Sequence, residues 1–156
     1  MRDKNALINA LVARLVEDRD AMIAAARSAH EAATHPESKP ENDKDTRGLE
    51  LAYLAGAQAE RAREIDLAIT EMRLLEVRPF ADGARVASTA LVTLDDGDDE
   101  TVYFLVPHGG GHKLDGVVVV TPLSPIGRAI LGREAGDTVS VVLRGKPRDL
   151  TISAIA

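Results

Sequence analysis

The chain has 156 residues, a formal net charge of −6 and no cysteine. That excludes a disulfide scaffold and thiolate chemistry, and it argues against a protein that holds nucleic acid mainly through a basic phosphate-binding face. With no Trp, two Tyr and two Phe there is little from which to build base-stacking platforms. No apolar run approaches the roughly 20 residues that span a bilayer, and the opening MRDKNALINALVARL lacks the apolar core of a signal peptide. A cytoplasmic protein without a membrane partner is expected.

From Asp3 to about Thr34 there is no Gly or Pro, and Ile8, Leu11, Leu15, Met22, Ala25, Ala29 and Ala32 recur at alternating spacings of three and four, with Asp18 as the one charged interruption. Leu51, Leu54, Gln58, Ile65, Ala68, Met72 and Leu75 repeat that spacing, interrupted at Arg61. Each set is a heptad seam. Pro36 and Pro40 stop the first helix, and the short connection allows only an antiparallel return. Residues 1–76 are therefore predicted to form a long antiparallel helical hairpin of coiled-coil type. A hairpin of this kind serves either as a dimerising or adaptor coiled coil, or as a probe that carries its tip to a partner.

The tip, near residues 37–45, holds four carboxylates, Glu37, Glu41, Asp43 and Asp45, among two Lys. Such a group can complete the coordination of Mg²⁺, a hard ion often held by one or two protein carboxylates and several waters. The plainer reading is that Asn42 or Asp43 caps the second helix and Asp45 answers its dipole.

Most of the Gly and Val lie beyond Arg78. The pattern gives Arg85 to Leu94, an acidic turn from Asp95 to Asp99, Thr101 to Val106, a Gly-rich turn from His108 to Gly116 and Val117 to Val120. A short helix follows, then Thr138 to Leu143, a turn at Arg144 to Pro147 and Leu150 to Ile155. Five short strands and one helix predict a small antiparallel sheet domain over 79–156, making the whole chain α+β. Ser124 is placed to cap the helix, Pro125 suits its first position and Gly132 ends it.

The run Ser124-Pro125-Ile126-Gly127-Arg128-Ala129-Ile130-Leu131-Gly132, continuing through Gly136-Asp137-Thr138-Val139, resembles the C-terminal domain of the bacterial Gre transcript cleavage factors. The resemblance implies an FKBP-like fold for 79–156 and a monomeric transcription elongation factor that binds bacterial RNA polymerase and meets nascent RNA only indirectly. It implies docking through Ser124, Pro125 and Ile126, and a hairpin that enters the polymerase secondary channel. There the tip acids Glu41, Asp43 and Asp45 would stimulate the polymerase's own cleavage of backtracked RNA, with Glu41 and Asp45 sharing a Mg²⁺ that only the complex holds. The factor would be an accessory to that hydrolysis and not itself an enzyme. Aligning the family's second helix on this one puts the family tip Asp at Glu41 and the family tip Glu at Lys44, with Asp45 one position away. A channel-binding regulator without cleavage activity is the alternative.

Other motifs carry less. An FKBP-like fold raises prolyl isomerisation, but Tyr103 and Phe104 are adjacent on one strand and point to opposite faces, leaving too few rings for such a pocket. His108 and His112 flank three Gly without a third zinc ligand at a recognisable spacing, so a hairpin turn is expected. The acidic turn lacks the twelve-residue ligand spacing of a calcium loop.

Overall fold

The computed structural model describes residues 2–38 and 46–156. Helix α1 runs over Lys4–Thr34, a single 3₁₀ turn over Pro36–Ser38, and α2 over Arg47–Arg73. The strands are β1 (Leu91–Asp95), β2 (Glu100–Leu105), β3 (Lys113–Leu114), β4 (Val117–Val120), β5 (Thr138–Leu143) and β6 (Lys146–Ile155), with α3 (Pro125–Ile130) between β4 and β5. The chain divides into two compact units, Val12–Arg73 and Met1–Leu11 with Leu74–Ala156. The first turns of α1 therefore group with the sheet.

In the helical unit, α1 and α2 run antiparallel. Arg19 donates to Asp66 at 2.7 Å, while Ser28 and His35, further along α1, share a hollow with Arg47 at the start of α2. At 1.5 Å per residue, the 31 residues of α1 extend about 46 Å and the 27 of α2 about 40 Å. The buried seam of α2 is Ala55, Ala62, Ile65, Ala68, Ile69 and Met72. It keeps Ile65, Ala68 and Met72 of the predicted one and adds Ile69, while Leu51, Gln58 and Leu75 are half-buried, and two positions exchange with a neighbour. Leu54 is exposed, its place taken by Ala55, and Arg61 faces water and pairs with Glu64 while Ala62 is buried. The smaller side chain goes inward because two helices meeting on a narrow seam leave little room at these positions. The cap of α2 is Thr46, whose carbonyl accepts from the Glu50 amide at 2.9 Å and whose hydroxyl meets the Glu50 carboxylate at 3.2 Å. Asn42 and Asp43, expected as caps, lie outside the described residues.

The second unit is a six-stranded sheet in the order β3-β4-β2-β1-β6-β5. Every pairing is antiparallel as expected except β2 with β4, which is parallel, so the sheet is mixed. The additional strand is the two-residue β3, which pairs with β4 through Asp115-Gly116. Both of those residues have positive φ, the requirement of the tight turn that matches strand twist. Residues 85–90, expected as the start of a strand, are irregular: Val86 bonds through both its amide and its carbonyl to the end of α3, at Arg133 and Gly132, rather than to a strand.

Helix α3 covers one face of the sheet. Ile126 and Ile130 pack with Val92, Leu94, Leu105, Val120, Val139, Val141, Leu150 and Ile152 in one buried cluster. Leu91, Phe104, Val117 and Val119 occupy the alternating positions on the other face and are buried as well. Gly109 marks a close approach: its φ is +82°, and a Cβ there would lie 2.6 Å from the Cδ1 of the fully buried Leu11. The FKBP-like arrangement of one short helix on a curved sheet is thus present, with both sheet faces covered.

Candidate functional site

The Ser-Pro motif is built around one backbone carbonyl. The Thr121 oxygen accepts from the Ser124 amide at 3.0 Å and from its hydroxyl at 2.8 Å. The Ser124 Oγ in turn accepts from the Gly127 amide at 3.1 Å, satisfying one of the orphan donors of the first helical turn. Pro125 follows at the first helical position, where its missing donor costs nothing. Gly inside a helix costs about 1 kcal/mol relative to Ala. Gly127 is nonetheless required, because a Cβ there would sit 1.8 Å from the Thr121 oxygen.

This geometry sorts the three residues predicted to dock. Pro125 is exposed and Ser124 is half-buried with its hydroxyl occupied by the cap. Ile126 is a correction: it is 8 % exposed and packs in the core beneath α3, so its side chain is not a contact surface. The outward face of the motif is formed by Leu123, Pro125 and Arg128. Leu123 is 81 % exposed, a large apolar side chain that the sequence reading missed. The Arg128 guanidinium donates back to the Leu123 carbonyl at 3.1 Å, fixing the loop against the helix. Position within the motif was the available signal, since Leu123 immediately precedes the cap.

The tip residues Glu41, Asp43 and Asp45 lie outside the described residues. On the flanks, the Glu37 amide donates to the His35 Nδ1 at 3.2 Å, and the Thr34 hydroxyl folds back on the His30 carbonyl at 3.0 Å at the end of α1. Among the described residues, no three His, Asp or Glu side chains come together as a metal site. The His112 ring nitrogen lies 2.8 Å from the Gly109 carbonyl, in keeping with a structured hairpin turn.

The segment joining helix to sheet is held by polar contacts unmarked in the sequence. Thr89 is fully buried at φ +70°, a strained conformation for a β-branched residue. Its amide donates to the Leu105 carbonyl at 2.8 Å and its Oγ1 accepts from the Arg78 amide at 3.0 Å. The Lys4 ammonium donates to the Arg78 carbonyl at 3.0 Å and lies 4.6 Å from the centre of the Phe80 ring. Partial burial pushes the Lys4 amine below its usual pKa.

Comparison with known proteins identifies the sheet unit and reaches into the helices. Residues 81–156 match the family model for the C-terminal domain of the transcription elongation factors GreA and GreB. GreA of Thioalkalivibrio sulfidiphilus (strain HL-EbGR7) is 29% identical over 141 residues, covering 89% of this chain and 84% of that protein. GreA of Anaeromyxobacter sp. (strain K) is 33% identical over 98 residues, 62% of this chain and 57% of that protein. Among solved structures, the GreA factor homolog Gfh1 of Thermus thermophilus aligns over 96% of this chain and 94% of its own, with 20% identity and a TM-score of 0.42. Gfh1 of Thermus aquaticus aligns over 94% and 92%, with 21% identity and a TM-score of 0.43. The family match makes the sheet unit a GreA/GreB-type C-terminal domain, and a likeness to GreA runs through both helices and sheet.

Proposed function

We propose that the chain binds bacterial RNA polymerase through its sheet unit, inserts the helical hairpin into the secondary channel and stimulates Mg²⁺-dependent cleavage of backtracked RNA. The observation that carries this reading is the joining, in one chain, of a GreA/GreB-type C-terminal domain to an antiparallel helix pair about 40 Å long. A two-helix probe is narrow, and its length suits delivery of a few side chains into a deep site. Leu123 and Pro125 supply the exposed docking surface, held in shape by the Ser124 cap.

At the tip, Glu41 and Asp45 are oxygen donors of the kind a hard divalent ion takes, and one or two carboxylates are a usual protein share of magnesium coordination. The ion, when bound, supplies an activated water and stabilises a leaving oxygen. Glu41, Asp43 and Asp45 would hold negative charge beside it and orient the water. The protein alone binds Mg²⁺ weakly on this reading, because the remaining ligands belong to the polymerase.

Lys44 favours a second reading. An ammonium stands where the Gre family carries its tip Glu, and it cannot ligate a cation. The factor would then occupy the channel and regulate the polymerase without cleavage. RNA cleavage in stalled, backtracked complexes separates the two, using the wild-type chain and a variant with Glu41, Asp43 and Asp45 all replaced by Ala. Cleavage that the variant loses while still binding supports the cleavage factor. Binding without cleavage by the wild type supports the regulator, and no binding by either returns the hairpin to a dimerising or adaptor coiled coil.

A further inference from the structure

Away from the Ser-Pro motif, the sheet unit carries a cleft of about 430 Å³ that the proposed function does not use. This volume lies within the ordinary range of ligand sites. Leu94, Leu143, Leu150 and Tyr103 line it, and all four belong to, or pack against, the same buried cluster as α3. The cleft is thus a stretch of the α3-bearing face that remains open. One wall is the acidic turn with Asp96 and Asp99, the other the β5–β6 hairpin with Arg144, Lys146 and Arg148.

The two walls differ in how far their charges are satisfied. The Asp96 carboxylate accepts from the amides of Asp99 and Asp98 at 2.9 and 3.1 Å and pairs with Arg148 at 3.6 Å. Those contacts, the Asp99 amide first, hold it below the usual carboxylate range, so it stays ionised and occupied. The side chains of Arg144 and Lys146 make no ion pair or hydrogen bond among the described residues, while the Lys146 backbone pairs opposite Leu143. Both are exposed, on a hairpin whose backbone is set by Arg144-Gly145, a two-residue turn with both φ positive. Burial pushes the Tyr103 phenol above its ordinary pKa, so it remains a neutral donor in the cleft.

We infer that this cleft is a binding site for an acidic peptide segment of a partner protein, its carboxylates meeting Arg144 and Lys146 and an apolar side chain resting on Leu94, Leu143 and Leu150. Two unpaired cations above an aliphatic floor are complementary to that pattern. Nucleic acid is the poorer match, because Tyr103 is the single ring lining the cleft.

The test is fluorescence anisotropy of the full chain with a short labelled peptide of alternating Glu and Leu, compared with the same peptide carrying Gln for Glu and with an oligouridylate. The expected result is saturable binding of the Glu-Leu peptide that Arg144→Gln with Lys146→Gln weakens about tenfold, at unchanged melting temperature. Equal binding of the Gln peptide, tighter binding of the oligouridylate, or an affinity indifferent to the double substitution would overturn the assignment. Should the variant melt lower, amide shifts in the wild-type chain decide alone. Shifts confined to residues 94–103 and 143–150 support the site, and shifts elsewhere refute it.

Discussion

The two units of this chain are built on opposite economies of packing. The sheet unit buries large side chains on both faces, including Phe104, Leu94, Leu105, Ile130 and Ile152. Among its described residues, the helical unit buries large side chains only where its helices are nearest the sheet in sequence, at Val12, Leu15, Ile65, Ile69 and Met72, and toward the tip the buried ones are Ala29 and Ala55. A buried Leu, Ile or Phe contributes about 1.5–3 kcal/mol of transfer free energy, whereas Ala contributes far less. The difference teaches that stability and reach are separated in this fold: the sheet is over-determined, while the tip-ward helices are held by a thin seam and open more readily.

Substitutions sharpen or break that contrast. The largest expected effect is Gly127→Ala, since the added Cβ would meet the Thr121 backbone oxygen and neither can yield without moving α3 off its loop. A loss of at least about 4 kcal/mol, or failure to fold, is expected in urea melts. Next is Ile126→Glu, which forces a carboxylate into the apolar cluster and should cost about 3–4 kcal/mol; a stable variant with weakened polymerase binding would instead restore Ile126 as a docking residue. In the helices, Ile65→Ala should cost about 2–3 kcal/mol and Leu54→Ala less than about 0.5 kcal/mol, which thermal melts can compare directly. Equal effects would contradict the observed seam.

Thr89→Val tests the linking segment. It keeps the side-chain shape but removes the acceptor for the Arg78 amide, and about 1–2 kcal/mol should be lost. Smallest of all is Arg19→Ala. Its pairs with Asp66 and Asp20 are surface contacts between flexible side chains, so no resolvable shift in melting temperature is expected.

Much of this architecture is legible in the sequence, for physical reasons that differ by element. Helix α1 announces itself through the absence of Gly and Pro, both long helices through the spacing of apolar residues, and the Ser124 cap with Pro125 behind it marks α3. What is not legible depends on contacts distant in sequence. The parallel pairing of β2 with β4, the irregular path of residues 85–90 tied to the end of α3, and the strained Thr89 are each set by a partner that no local pattern names. The same limit explains the exchange of Leu54 for Ala55 in the seam: heptad spacing gives a stripe, and the space between two particular helices decides which neighbour turns inward. At the Ser-Pro motif, the family resemblance points to Ile126, while the helix direction that buries it leaves Leu123 on the outside.

The central claim is that the hairpin tip enters the polymerase secondary channel. Because the chain has no cysteine, Asn42→Cys gives a single attachment point for an iron chelate that cuts nearby RNA and protein by hydroxyl radicals. The account predicts cuts in the RNA and protein around the polymerase active centre in backtracked complexes. Cuts confined to the outer surface of a polymerase that the factor still binds would contradict it.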